Sequence, residues 1–453
     1  MPKLFGSSGI RGLFESEVTP LLALKLGAAL PQLPRGVKHL VLGWDSRTSG
    51  HSLALAVAAG ASAYGCDVTL AGLTPTPVLA YLTRFFDMGV MVTASHNPPE
   101  YNGLKVFIRD GSSLPEEECT FVEEFLLKGS PQAPSKPGSL ESAEDLVIHY
   151  IDEVLRAVSL KRCWRVAIDP GCGSSGYIAL KIFQSLGCQV YALNTQPDGF
   201  FPARRSEPDE ESLSTLSRYV ALKGLDLGFA YDGDADRVVA VDSKGRVVQQ
   251  DSLLASYAHY AAAKAGSGTV VVNVDTSACV DVAVEDAGGR VFRTKVGDVF
   301  IAEELKSAGG VMGSEPCGAW IHPWFSLAPD GIFSSVLILK ALEELNLKLE
   351  EFTSKYKPFT VLRGKLPCPN HLKRAALEKV EELASNAFKD VTNVSKVDGL
   401  RLEFSDKSWV LIRPSGTEPI MRVTVEGITS NRANNLFSQA RNIVERAIKE
   451  VSK

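Results

Sequence analysis

His39-Leu40-Val41-Leu42-Gly43-Trp44-Asp45, a helical stretch ending near Tyr64, and Gly65-Cys66-Asp67-Val68-Thr69-Leu70 form one unit: an apolar run closes on an aspartate, and a glycine leads into the next run. The same order returns from Trp164-Arg165-Val166-Ala167-Ile168-Asp169 to Gly187-Cys188-Gln189-Val190-Tyr191. It returns again from Thr269-Val270-Val271-Val272-Asn273-Val274-Asp275 to Gly288-Gly289-Arg290-Val291-Phe292. Short apolar strands alternating with helices predict α/β layers with largely parallel pairing, because the crossovers are long enough for right-handed connections. Three related α/β domains with mixed sheets are the simplest reading of this internal repeat.

The stretch from Lys128 to Gly138, rich in Gly, Ser and Pro, resists helix and strand and marks a first boundary. A helix starting near Asp251 opens the third domain, and Lys357-Pro358 is expected to end the long helix that follows Asp330. The expected domains are 1–138, 139–250, 251–358 and 359–453. The last, with strands flanking one helix near Arg374 to Ala384 and a final helix near Arg432 to Val451, reads as a smaller α+β unit.

At 453 residues the chain is too long for one compact core. With 45% hydrophobic and 22% charged residues, neither wholesale disorder nor a membrane protein fits. No apolar run approaches the roughly 18 residues that a spanning helix needs, and Met1-Pro2-Lys3-Leu4-Phe5 lacks a signal-peptide core, so a cytoplasmic protein is expected. A net charge of -5 weighs against nucleic acid as a partner. The eight cysteines include no CxxC pair, which disfavours structural zinc and a disulfide framework.

Three segments carry chemistry. Ser95 follows the apolar run Gly89-Val90-Met91-Val92 and is followed by Asn97, a Pro98-Pro99 turn, Asn102, Gly103 and Lys105. Ligands in α/β sheets favour the carboxyl ends of strands, so this serine is displayed for reaction. It lacks a G-x-S-x-G elbow, which leaves acyl transfer poorly supported, whereas phosphoryl transfer needs only positioning and charge neutralisation. Asp232, Asp234 and Asp236 alternate with small residues between two apolar strands. Three such carboxylates repel one another, and a hard cation such as Mg²⁺ relieves them. An EF-hand would require glycine where Arg237 stands and glutamate where Ser243 stands. If all three aspartates ligate a metal, an oxygen on phosphorylated Ser95 is a candidate fourth ligand. Arg413-Pro414-Ser415-Gly416-Thr417-Glu418-Pro419 has the hydroxyls, glycine and guanidinium of a phosphate cradle. Gly171-Cys172-Gly173-Ser174-Ser175-Gly176 matches a dinucleotide fingerprint, but the next strand ends at Asn194 instead of an acidic residue, so a structural loop is the favoured reading.

Taken in order with Ser7-Ser8-Gly9-Ile10-Arg11-Gly12 and Gly313-Ser314-Glu315-Pro316-Cys317-Gly318, these segments resemble the α-D-phosphohexomutase family along the whole chain. The resemblance implies three related α/β domains and a TATA-binding-protein-like last domain around a central cleft. It implies that Ser95 is the phosphoserine, that Asp232, Asp234 and Asp236 hold Mg²⁺ and that Arg237 steadies the phosphoryl group. By the same resemblance, Lys105 and Arg11 assist proton transfer and His96 hydrogen-bonds near Ser95. Glu315 would read sugar hydroxyls, and Arg413, Ser415, Gly416 and Thr417 would hold the distal phosphate. A hexose 1,6-bisphosphate is the implied phosphorylating activator, and a monomer or homodimer is expected.

Where the family's sugar-reading loop commonly has serine and histidine, this chain has Cys317 and Ala319, a variant similar to archaeal-type members. Arg293-Thr294-Lys295-Val296-Gly297-Asp298 is similar to phosphoglucosamine mutases, and an acid at Asp298 would favour an ammonium on the sugar. Phosphoglucomutase or phosphomannomutase activity is the alternative. A sugar-phosphate sensor or a metal-assisted phosphatase is the more distant one.

Overall fold

The computed structural model describes residues 4–6, 9–128, 136–416 and 418–452. Ser7, Ser8, Thr417 and positions 129–135 of the expected first boundary lie outside the described residues. The chain divides into two compact units, Met1–Gln250 with Met312–Phe352, and Asp251–Val311 with Thr353–Lys453.

In the first unit, a six-stranded sheet runs in the order Ile10–Leu13, Tyr101–Ile108, Met88–Val92, His39–Trp44, Asp67–Leu73, Leu140–Ser142. His39–Trp44 pairs in parallel with both Asp67–Leu73 and Met88–Val92, whereas Tyr101–Ile108 returns antiparallel to Met88–Val92. Leu40, Val41 and Leu42 are inaccessible to solvent on both faces of the sheet, which explains why the run is continuously apolar. A second sheet has the order Val238–Val241, Leu227–Tyr231, Arg165–Asp169, Gln189–Ala192, with only the Val238–Val241 edge antiparallel. Both sheets are therefore mixed. In each, a parallel strand turns back into an antiparallel neighbour through a short loop: 93–100 in the first and 232–237 in the second.

Met312–Ser314, Trp320–His322 and Ser326–Pro329 run antiparallel to one another and lead into the helix Gly331–Leu345. Asp330 caps this helix by accepting from the Phe333 N–H at 2.8 Å. The expectation that the helix persists to Lys357-Pro358 is corrected. Asn346 adopts a left-handed conformation (φ 51°) and closes the helix, and Leu349–Phe352 is a separate short turn of helix. Asparagine tolerates that conformation, which makes it a substitute for the usual glycine stop.

In the second unit, Thr269–Asn273 and Arg290–Thr294 pair in parallel across the helix Ala278–Asp286, the third copy of the repeat. A five-stranded antiparallel sheet follows, ordered Thr360–Pro367, Ile420–Gly427, Trp409–Pro414, Leu400–Phe404, Val391–Ser395. Val410 and Ile412 face a core shared with Leu436, Ala440 and Val444 of the helix Ser430–Val451. The alternate residues Trp409 and Leu411 pack instead with Val274 and Ala278. Period-two alternation thus buries both faces of one strand against different partners. Among the described residues no helix is long and apolar enough to cross a membrane.

Candidate active site

Ser95 lies just past the strand Met88–Val92 with φ 52°, a left-handed backbone that costs a non-glycine residue about 1–2 kcal/mol. The conformation is held from behind. Thr93 Oγ1 accepts from Ser95 N at 2.8 Å and donates to Asp45 Oδ2 at 2.6 Å. Asp45 also pairs with Arg47 Nε at 3.1 Å, and Arg47 Nη2 and Nη1 donate to the carbonyls of Ser95 and Tyr101, each at 2.9 Å. Burial pushes the Asp45 carboxyl up, and Arg47 opposes that shift. Five guanidinium donors in a planar fork suit one buried arginine to fixing several loop carbonyls at once.

The loop 232–237 meets Ser95 from the second sheet. Ser95 Oγ donates to Asp232 Oδ2 at 2.5 Å, across 137 residues of sequence. The approach depends on Gly233, where a Cβ would come within 2.7 Å of the Ser95 carbonyl oxygen. Behind it, Ser174 N donates to the Gly233 carbonyl at 3.0 Å, and a Cβ on Gly173 would meet the same oxygen at 2.7 Å. Gly173 and Ser174 therefore buttress the acidic loop, a structural role that involves no dinucleotide.

One carboxylate oxygen from each of Asp232, Asp234 and Asp236 lies within 4.8 Å of the others. Lys105 Nζ sits 2.8 Å from Asp234 Oδ2 and 2.7 Å from Asp236 Oδ2, and Thr76 Oγ1 donates to Asp234 Oδ2 at 2.5 Å. Burial, reinforced by Asp236 and Asp234, pushes the Asp232 carboxyl well up. At Asp234 burial acts in the same sense but is outweighed by Lys105, which holds that carboxyl below the usual range. For Lys105 burial disfavours the ammonium, yet Asp234 and Asp236 prevail and raise it above its ordinary value. Asp234 Oδ1 and Asp236 Oδ1 are buried without a hydrogen-bond partner. Orphaned carboxylate oxygens in a like-charged cluster are the donor set of a hard divalent cation, and the three aspartates fit Mg²⁺.

The other expected residues of this unit lie around the two loops. His96 Nδ1 is 3.3 Å from Ser95 Oγ, and burial, aided by Arg237 and Arg11, pushes the imidazole down to about 3. Arg11, on Ile10–Leu13, donates to Asn97 Oδ1 at 3.4 Å and leaves its buried Nε without a hydrogen-bond partner. Arg237 Nε is 3.8 Å from Asp236 Oδ1, and its backbone N–H donates to Asp232 Oδ1 at 3.2 Å. Glu315 and Cys317 occupy a turn closed by Glu315 N to the Ala319 carbonyl at 3.0 Å. The Gly318 carbonyl of this turn accepts from Val238 N at 3.2 Å, next to the acidic loop. Burial pushes the Cys317 thiol up to about 12, so it is a thiol and not a thiolate.

Sequence reading missed Arg47, Thr76 and Glu207. Glu207 lies 3.0 Å from Arg237 Nη1 and 3.8 Å from His96 Nδ1.

The second unit holds the remaining residues. Ser415 accepts at Oγ from Glu418 N at 3.2 Å, and Lys373 Nζ clamps the loop by donating to the Ser415 carbonyl at 2.5 Å and the Glu418 carbonyl at 2.6 Å. Gly416 stands at the open tip, with no heavy atom within 4 Å of where a Cβ would be. Arg413 Nη1 donates to Asp398 Oδ2 at 2.9 Å, and the same oxygen accepts from Val296 N at 3.2 Å. Asp398 thereby ties the Arg413 loop to the segment bearing Asp298. Asp298 itself is the first residue of the helix Asp298–Ala308, where the helix dipole also favours a carboxylate.

Four family models match the chain in order: the phosphoglucomutase/phosphomannomutase alpha/beta/alpha domains I (residues 2–132), II (148–245) and III (249–359), and the C-terminal domain (365–443). A protein of Pyrococcus abyssi named "Probable phosphoglucosamine mutase" is 42% identical over 100% of both chains. The fold matches a phosphoglucomutase/phosphomannomutase family protein from Burkholderia thailandensis at TM-score 0.87 and 24% identity, covering 100% of this chain and 98% of that one. It also matches Aspergillus fumigatus N-acetylphosphoglucosamine mutase, solved in complex with GlcNAc-6P and magnesium, at TM-score 0.61 and 16% identity over 98% of this chain and 96% of that one. With all four domain models in sequence and full-length relatives at about this level of identity, the chain belongs to the phosphoglucomutase/phosphomannomutase family of phosphohexomutases.

Proposed function

We propose that this protein is a Mg²⁺-dependent phosphoglucosamine mutase that converts glucosamine 6-phosphate to glucosamine 1-phosphate through a phosphorylated Ser95. The observation that carries this reading is the 2.5 Å contact between Ser95 Oγ and Asp232 within the buried aspartate trio. A nucleophile so placed, with strained backbone and fixed carbonyls, is pre-organised for phosphoryl transfer.

Asp232, Asp234 and Asp236 would hold Mg²⁺, which supplies charge neutralisation for a transferring phosphoryl group. Ser95 Oγ carries that group and gives it to the free hydroxyl of the sugar phosphate. The sugar bisphosphate so formed turns over and returns its other phosphate to Ser95. Arg237 binds the phosphoryl oxygens. Lys105, paired with two carboxylates, moves the hydroxyl proton, and Arg11 assists it from the neighbouring strand. Arg413, Ser415, Gly416 and Thr417 hold the non-reacting phosphate, while Glu315, Cys317 and Asp298 meet the sugar. Glucose 1,6-bisphosphate serves as the source of the first phosphoryl group.

The domains are assigned as 1–138 with the phosphoserine loop, 139–250 with the metal loop, 251–358 with the sugar-reading loop and 359–453 with the phosphate loop. A cytoplasmic location is supported by eight free cysteines, which suit a reducing compartment.

Turnover of glucosamine 6-phosphate, glucose 1-phosphate and mannose 1-phosphate, each with Mg²⁺ and a trace of glucose 1,6-bisphosphate, tests the assignment. The amino sugar is expected to give the highest kcat/KM. Preference for a neutral hexose would replace the assignment with the second reading, a phosphoglucomutase/phosphomannomutase, which the descriptions of the matching domains favour.

A further inference from the structure

We propose that Glu207 is a positioning residue that competes with the phosphoryl group on Ser95 for Arg237 and His96, and so sets how readily the phosphoenzyme gives its phosphate away. The inference rests on the reading of Ser95 as the phosphoryl acceptor. Arg237 Nη1 lies 3.0 and 3.3 Å from the two carboxylate oxygens of Glu207. His96 Nδ1 lies between Glu207 Oε2 at 3.8 Å and Ser95 Oγ at 3.3 Å. Arg237 is thus already engaged by a carboxylate from a different part of the chain, and His96 stands between that carboxylate and Ser95.

Glu207 is held there by its own segment. Ser206 Oγ donates to the Asn97 carbonyl at 3.1 Å, and Arg204 Nη2 donates to the Tyr231 carbonyl at 2.7 Å. The segment just before Glu207 is therefore tied both to the Ser95 loop and to the strand that precedes the aspartates. The side chains differ in freedom: that of Glu207 is 39% exposed, that of Arg237 17%. The carboxylate can turn into solvent at small cost, whereas the guanidinium stays and needs a counter-charge.

Transfer to the enzyme breaks the sugar O–P bond and forms the Ser95 Oγ–P bond, and the serine proton ends on the sugar oxygen as a hydroxyl. The product brings about -1.5 to -2 charges and three acceptor oxygens to Oγ. Arg237 and His96 are then satisfied by phosphate, and Glu207 becomes a surplus like charge. Glu207 thus stabilises the free enzyme, by pairing Arg237, and destabilises the phosphoenzyme, by repulsion. A mutase must both accept and return phosphate, so a phosphoserine held too tightly would stall it. Glu207 works against that outcome.

The experiment uses the full chain with Mg²⁺, equilibrated with mixtures of glucose 1,6-bisphosphate and glucose 6-phosphate, and reads the phosphorylated fraction by intact mass. E207Q keeps the shape and removes the charge. It is expected to reach half phosphorylation at a bisphosphate-to-monophosphate ratio about fivefold lower than wild type, as removal of a nearby like charge at a partly exposed site requires. E207D, which retains the charge, is expected to stay near wild type. A purely structural role would loosen Arg237 and move the ratio upward, so an unchanged or higher ratio in E207Q overturns the inference while the Ser95 reading stands. S95A is expected to remain unphosphorylated. Its phosphorylation to the wild-type extent would remove the Ser95 reading and the inference with it.

Discussion

Ser95 is the residue on which the proposed chemistry converges, and its surroundings show what holds it in place. A left-handed φ at a serine is unfavourable by itself, and the Asp45–Arg47 pair offsets the strain by fixing the loop carbonyls. S95A is expected to fold with an unchanged circular dichroism spectrum and to show no isomerisation above background. K105M is expected to lower kcat by at least about 100-fold, the usual loss when a positioned proton-transfer group is removed. Full turnover in K105M would dismiss Lys105 from proton transfer.

That Ser95 and the three aspartates lie together was legible in the sequence, because polar residues cluster abruptly at the ends of apolar runs. Arg47, Thr76, Glu207, Lys373 and Asp398 were not. Thr76 meets Asp234 across 158 residues and Arg47 meets Ser95 across 48, and no local pattern announces such partners. Only the folded strands bring them together.

At the scale of elements, the three strand-helix-strand copies were readable because buried parallel strands must be apolar on both faces, and each copy formed where expected. The end of the helix Gly331–Leu345 was misread because Leu349 and Phe352 continue the apolar periodicity beyond the Asn346 cap.

The start of that helix is expected to respond to pH. Asp330 is wholly buried, and burial raises its carboxyl to about 7, against roughly 3.9 in an unfolded chain. Between those values the folded state binds the extra proton. Its contribution is fully present below about pH 4 and is lost as pH rises through about 7. Relative to D330N, which cannot ionise, wild type is expected to lose urea midpoint between pH 5 and pH 8. A pH-independent difference would contradict this.

The link from Asp398 to Arg413 and Val296 belongs to this scale as well. D398A is expected to raise the KM for glucosamine 6-phosphate about tenfold with a smaller change in kcat, since a charge-assisted hydrogen bond orienting the arginine proposed to hold the distal phosphate is lost. An unaltered KM would show that Arg413 needs no such support.

At the scale of the whole molecule, each of the four matched domains contains one of the segments named in the proposal. Ser95 and Lys105 fall in the first, the aspartates in the second, the Glu315 loop and Asp298 in the third, and the Arg413 loop in the last. Removal of Mg²⁺ with EDTA is expected to abolish isomerisation and to leave the thermal transition largely in place, because Lys105 already pairs with two of the three carboxylates. Collapse of the fold on chelation would show that the cation is structural instead.

The most direct measurement is to follow the phosphoryl group itself. The protein is incubated with Mg²⁺ and glucose 1,6-bisphosphate labelled with ³²P in both phosphates, then digested and mapped. We expect the label on the Ser95 peptide alone, chased off by unlabelled glucosamine 6-phosphate at least as fast as the enzyme turns over. Label on another residue, or isomerisation without labelled protein at any time, would contradict it.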